Sequence, residues 1–199
     1  MELSGTFELE NVTVEEVWLA LSDPVLLAQA APGCEFAEEV DDPDDVDFDA
    51  LRAAAADRED PPTLPEADPE EVAERAIEEG DHYAAVLGVK IGSVNPTFEA
   101  VGTITKREFP EMHASGEGAS SDSSFEVSSG MKLTETDNGV QVDWWAESDV
   151  FGRVAQMGQR VMNPVANRLV NRFFSQIADR LTDVGEDSPN VRDRIKDLI

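Results

Sequence analysis

The chain has 199 residues, 41% of them apolar, and a formal net charge of −28 from 43 acids against 15 bases. That length fits one domain, or one domain with an insertion. The charge excludes nucleic acid as a partner, because phosphates would be repelled. Only four of the bases are lysine, and acids are spread along the whole chain. This pattern suits a high-salt cytoplasm, where a Debye length of about 3 Å at 1 M salt screens self-repulsion. Cys34 is the only cysteine, so no internal disulfide can form. The opening MELSGTFELE has neither the basic nor the apolar region of a signal peptide, and no run reaches the ~18 apolar residues of a membrane span. The expectation is a cytoplasmic protein, soluble or peripheral at the cytoplasmic membrane.

Leu3, Gly5, Phe7 and Leu9 alternate with polar residues and predict a half-buried strand. Thr13 with Glu16 is a capping-box pattern that starts a helix carrying Val17, Trp18 and Leu21. A second short helix runs from Val25 to Ala31 and stops at Pro32-Gly33.

The composition then shifts. Residues 37–80 hold eighteen acids against Arg52, Arg58 and Arg75, with five prolines. Two helical pieces are legible, Asp49 to Arg58 and a second opened by Asp68-Pro69 and closed by Gly80. Neither has enough large apolar residues for a core of its own. Residues 37–79 are therefore expected to be an acidic insertion, loosely docked or partly disordered.

After Gly80 the period becomes two. Tyr83, Ala85, Leu87, Val89 and Ile91 share one strand face, and Phe98, Ala100, Gly102 and Ile104 the next, which ends near Phe109-Pro110. Met112, Ala114 and Gly116 follow, then Phe125, Val127, Ser129, Met131 and Leu133, a hairpin signal at Asn138-Gly139, and Val140, Val142, Trp144 and Ala146. Short turns between alternating strands mean antiparallel pairing.

Val150 to Leu181 is the longest stretch readable as one helix, roughly 48 Å if unbroken. Val154, Met157, Val161, Val165 and Leu169 form one apolar stripe, and Val170, Phe174, Ile177 and Leu181 a second. Pro164 lacks the N–H that would bond the Arg160 carbonyl, so a kink is expected there. The stretch carries five arginines against one aspartate. A tail helix opens at Ser188-Pro189, with Val191, Ile195 and Leu198 on one side; it could touch a membrane surface or a partner.

Strand, two short helices, antiparallel strands and one long helix give an α+β fold, a curved sheet gripping the C-terminal helix. The domain comprises 1–36 and 80–183, with 37–79 as the insertion and 184–199 as the tail. Small inward residues (Ala85, Ala100, Gly102, Ala114, Gly116, Ser129) leave room for a cavity between sheet and helix, unless larger residues elsewhere fill it. Its candidate lining is Tyr83, Leu87, Phe98, Ile104, Met112, Phe125, Met131 and Trp144 from the strands, with Met157, Val161 and Val165 from the helix. Trp145, Arg160, Arg168 and Arg172 are the candidates for a partner surface.

Several motifs resemble the G-subunit family of carbon monoxide dehydrogenase: Asp23-Pro24, Pro32-Gly33-Cys34, Lys90-Ile91-Gly92, Gly116-Glu117-Gly118, Phe173-Phe174, and above all Phe151-Gly152-Arg153-Val154-Ala155-Gln156-Met157-Gly158-Gln159-Arg160. The resemblance covers about residues 1–36 and 80–182 and fails over the acidic insertion. It implies the START-like, or polyketide cyclase/dehydrase, helix-grip fold of the SRPBCC superfamily. It also implies an accessory to molybdenum-containing carbon monoxide dehydrogenases and related hydroxylases, associated with their attachment to the membrane. An apolar cavity suited to a quinone or lipid goes with that role, and no cofactor beyond such a ligand.

No catalytic constellation is visible. His82 and His113 lie in different strands without ligands at metal spacing, and His82 falls on the outward phase of its strand. Cys34 has no base in sequence and reads as a small buried thiol at a turn. Gly116, Gly118 and Gly130 read as strand bends or bulges. Three functions remain in view: a non-enzymatic binding and recruitment protein, a cyclase/dehydrase-type enzyme needing an acid or base inside the cavity, and a protein-only adaptor with a packed core.

Overall fold

The computed structural model describes residues 1–187 and 189–199, and the side chains of all of these except 182–191. The first strand, β1 (Glu2–Glu10), follows from the alternation of its side chains, with Leu9 fully buried. Thr13 and Glu16 close the expected capping box on α1 (Val14–Leu21): Glu16 N–H donates to Thr13 Oγ1 at 3.2 Å and Thr13 N–H to Glu16 Oε2 at 2.7 Å. Asp23 caps α2 (Pro24–Ala30) through Val25 N–H at 3.1 Å.

The chain next forms β2 (Cys34–Val40), a strand that the sequence did not lead us to expect. Its Glu-rich alternation resembles the acidic segment that follows. Then come α3 (Phe48–Ala56), α4 (Pro69–Glu74), β3 (His82–Gly88), β4 (Thr97–Glu108), β5 (Glu111–Ala119), β6 (Ser123–Thr136) and β7 (Gly139–Gly152). All seven strands pair antiparallel in one sheet ordered β1-β7-β6-β5-β4-β3-β2. The expected curved sheet gripping a C-terminal helix is present.

The register separates the two faces. Phe7, Val142, Leu133, Met112 and Ile104 lie on the helix-covered face with Trp144 and Met131. Glu117, Glu126, Glu147 and Asp149 lie on the other.

The long helix is shorter than the sequence suggested. Val150 to Gly152 complete β7, a single turn of tighter helix spans Ala155–Met157, and α5 runs over Gln159–Asp187. Gly152 and Gly158, at φ of +78° and +75°, make the two bends that take the chain from strand to helix. Pro164 sits inside α5.

The insertion is not loosely docked. Leu64, Ala67, Val72 and Ile77 are buried in the main core beside Leu21, Val142, Phe174 and Leu181. Arg75 donates from Nε and Nη2 to the two oxygens of buried Asp23, at 2.9 and 2.7 Å. Arg52 of α3 reaches Glu99 at 3.4 Å and Glu35 at 3.7 Å, and Phe36, Ala84 and Val86 of the neighbouring strands are buried on that outer face. A low count of apolar residues hid this, because four well-placed ones completed a core that the other elements had begun. Most of its acidic residues face solvent.

The tail also differs. α6 (Pro189–Lys196) buries Ile195 in the main core. Arg192 bonds buried Glu16 at 2.9 Å, and Arg194 pairs with Asp68 and Glu70 at the start of α4. Ile195 is therefore used within the molecule, whereas Leu198 stays exposed. Ser188 and the side chain of Val191, named above for this tail, lie outside the described residues.

Candidate functional site

A cavity arises where the sheet offers small side chains. Ala114 pairs with Ser129, and Ser129 with Ala146, so one row across β5, β6 and β7 has almost no side-chain volume on the inner face. The next row, Met112, Met131 and Trp144, is large, with Gly5 of β1 receiving the Trp144 ring at 3.1 Å from where its Cβ would stand. Opposite lie Leu169, Val170, Phe173 and Phe174 of α5, with Ala31 and Pro32 at one side. The space between them is about 410 Å³ and opens to solvent. Tight packing elsewhere in a core leaves voids no larger than a water. A space of this size lies within the range of small-molecule sites.

Leu169 ends the first apolar stripe of the helix and Val170 begins the second, so the handover read from the sequence sits over the cavity. The two stripes serve two clusters. Phe174, Ile177 and Leu181 pack into the main core. Met157, Val161 and Val165 pack with Ile91, Phe98, Val154 and Phe125 in a smaller cluster at the other end of the sheet. There Gly92, at φ of +59°, lies under Met157 Cε, 2.9 Å from where its Cβ would be.

Of the eleven expected lining residues, Leu87, Met112, Met131 and Trp144 line the cavity. Tyr83 and Ile104 pack at the margin of the main core instead. Phe98, Phe125, Met157, Val161 and Val165 belong to the second cluster. The difference has one source: alternation identifies the inner face, but not the position along it where helix and sheet diverge. Leu169, Val170, Phe173 and Phe174 were missed as lining, although Phe173-Phe174 had already been singled out as a motif.

The cavity wall is almost wholly apolar. Ser129 is its one side-chain hydroxyl, and its Oγ lies 3.4 Å from the Ala114 carbonyl. His113 borders the space through its strand, but the register puts its ring on the outer face. There it meets Trp145 edge-on at 5.5 Å, and Glu111 Oε1 lies 2.7 Å from its Nε2. Lys106, foremost, and His113 hold the Glu111 carboxyl below its ordinary value. Trp145 is 37% exposed and covers Gly130, where a Cβ would lie 2.6 Å from the indole Nε1. Gly130 thus makes room for an aromatic pair rather than for a bulge; the bulges fall at Cys34/Phe36 and Ile104/Lys106.

Arg160, Arg168 and Arg172 are all exposed along α5. His82 faces outward and hydrogen-bonds Thr103 Oγ1 at 2.8 Å. Cys34 opens β2 and points its thiol at the Phe36 carbonyl, 3.2 Å away, and burial pushes its pKa up to about 11. A thiol held protonated is no nucleophile at neutral pH. Among the described residues no group of His, Cys, Asp or Glu is arranged to hold a metal ion. None of the described helices is long and apolar enough to cross a membrane.

A larger groove, about 650 Å³, runs over the outer face of the sheet, but Glu2, Glu117, Glu126, Glu147 and Asp149 border it. Its lining is acidic. The smaller space under α5 is the one built to take an apolar molecule.

Comparisons with known proteins agree with this architecture. A conserved protein from Geobacillus kaustophilus superposes with a TM-score of 0.67 at 24% identity, covering 92% of this chain and 96% of that one. The Zhui aromatase/cyclase from Streptomyces sp. R1128 gives 0.55 at 10% identity, covering 92% and 93%. Ara h 8.0201 gives 0.53 at 14% identity, covering 92% and 98%. At such identities the likeness establishes the helix-grip fold and nothing finer. No curated protein matches the chain. The sequence model of the carbon monoxide dehydrogenase G-subunit (CoxG) matches residues 74–182, more than half the chain and including the cavity's strands and most of α5. The chain belongs to the CoxG family of carbon monoxide dehydrogenase subunits.

Proposed function

We propose that this protein is a non-enzymatic accessory that carries an apolar ligand, a quinone or lipid, in the cavity under α5. It would recruit a molybdenum hydroxylase-type redox enzyme, such as a carbon monoxide dehydrogenase, to the membrane. The observation that supports it is the cavity itself: about 410 Å³, walled by Leu87, Met112, Met131, Trp144, Leu169, Val170, Phe173 and Phe174, with no carboxylate or amine among its lining side chains. An apolar wall favours an apolar guest by roughly 25 cal/mol for each Å² removed from water. A cyclase or dehydrase would need an acid or base at the reacting atoms, and the lining offers only the Ser129 hydroxyl and the Trp144 indole. The exposed arginines at 160, 168 and 172 supply a cationic ridge, roughly 18 Å long at about 1.5 Å per residue, for an acidic partner or an anionic lipid surface.

The test is titration with a short-chain menaquinone, followed by quenching of tryptophan fluorescence. Ala114→Phe, which fills the small-residue row, should abolish uptake while keeping a cooperative melt, though overpacking can itself cost ~1–3 kcal/mol. Arg160, Arg168 and Arg172 changed together to glutamine should leave uptake intact and weaken binding to anionic vesicles or to the redox enzyme. Undiminished uptake in a folded Ala114→Phe protein would remove the cavity from the function.

A further inference from the structure

Among the described residues, three of the five exposed large apolar side chains, Phe109, Leu198 and Ile199, gather in one place. They border a recess of about 350 Å³ between α1, α4 and the β4–β5 turn, which shares no lining residue with the cavity under α5. Trp18, Leu19, Ala73 and Ala76 form its walls, and Arg107 is the one cation among them.

Arg107 is unusual for this chain. Seven arginines (Arg52, Arg58, Arg75, Arg153, Arg180, Arg192 and Arg194) pair with carboxylates among the described residues. Arg160, Arg168 and Arg172 are exposed to solvent. Arg107 does neither: its guanidinium is partly buried, its Nε is shut off from water without a hydrogen-bond partner, and Nη2 reaches only Ser22 Oγ at 3.4 Å. Its guanidinium carbon stands 5.4 Å from the Trp18 ring centroid, and Trp18 in turn meets Phe109 edge-on at 5.5 Å. The indole therefore fixes the fork in position before any ligand arrives. With Nε turned inward, the Nη1/Nη2 edge is the one left without a carboxylate partner, and such a fork matches a carboxylate through two parallel bonds.

We propose that this recess is a second binding site, taking a small amphipathic carboxylate whose charged end meets Arg107. Its apolar body would lie among Trp18, Phe109 and Leu198. Glu78 on the rim and Glu79, which accepts the Arg107 backbone N–H at 3.1 Å, oppose an anion here. Both are exposed, so molar salt screens them together with the repulsion of the −28 net charge. Binding is accordingly tighter at high salt than at low. This site stands independently of the ligand assigned to the larger cavity.

The experiment is titration of the full chain with phenylbutyrate in molar potassium chloride, with phenylbutanol as the uncharged control. The arginine Nε–H and indole N–H signals are followed by NMR. The expected result is a saturable shift of the Arg107 and Trp18 signals, with affinity falling about ten-fold or more for the alcohol and for Arg107→Gln, as loss of a charge-assisted pair implies. If Arg107→Gln does not fold, Ala76→Phe, which narrows the recess from the opposite wall, must weaken binding instead. Absence of a saturable shift, equal affinity for the alcohol, or unchanged affinity in the variants overturns the proposal. So does a titration that moves the Trp144 signal and not that of Trp18, which places the probe under α5.

Discussion

Removing the Arg75 side chain tests whether the acidic insertion is part of the core. Asp23 is fully buried, caps α2, and receives both ends of the Arg75 fork at 2.9 and 2.7 Å. Arg75 also donates to the Pro62 carbonyl at 2.7 Å, so one side chain joins two parts of the insertion to the first helices. Arg75→Ala leaves a buried carboxylate with only the Val25 N–H for company. Breaking a buried pair from one side costs about 3–5 kcal/mol, a large share of the roughly 5–15 kcal/mol typical of a domain. Arg58→Ala is the control. Arg58 bonds Glu38 at 2.7 Å, but its side chain is 46% exposed, and surface pairs contribute about 0–1 kcal/mol.

Urea unfolding at fixed molar salt reads both. Asp23→Asn keeps a cap and removes the charge, so the double variant Asp23→Asn/Arg75→Ala should be more stable than Arg75→Ala alone, with a coupling of about 0.5–3 kcal/mol. An Arg75→Ala protein within about 1 kcal/mol of the parent, no worse than Arg58→Ala, would show that residues 41–78 do not support the fold. By the same reasoning, exchanging those residues for a Gly/Ser linker should abolish the cooperative transition.

Stability should fall as salt is withdrawn, since the Debye length grows from about 3 Å at 1 M to about 10 Å at 0.1 M and the charge of −28 is then unscreened; a melting temperature flat over that range would sink the idea that the acidity is an adaptation to salt. Cys34 should resist iodoacetamide at neutral pH and become reactive as pH approaches about 11. Its folded pKa lies above the reference value of 9.0, so its contribution to stability is complete below that value and is lost as pH rises toward 11; a Cys34→Ala protein whose stability declines equally over that window would contradict this. Ile195→Ala should cost about 2–5 kcal/mol as a core truncation, whereas a tail serving only as a membrane contact would show no change in urea unfolding.

Local sequence determined the elements that local physics controls. Thr13 and Glu16 specify a helix start by direct reciprocal hydrogen bonds, and period-two alternation from Tyr83 to Ala146 fixes which side chains share a face. The motif from Phe151 to Arg160 carried the family, and the order of the elements had already given the helix-grip fold. Tertiary structure decided what no short window contains. β2 alternates glutamates with apolar residues, so it reads as part of the acidic run until β3 supplies its partner. Leu64, Val72 and Ile77 are too few to nucleate anything alone, yet each is fully buried because α1, α5 and the sheet leave places for them. The cavity has the same origin: Ala114, Ser129 and Ala146 are small residues far apart in sequence. Only the register of β5, β6 and β7 aligns them into one row beneath Leu169 and Phe173, where a void forms because no side chain reaches across it.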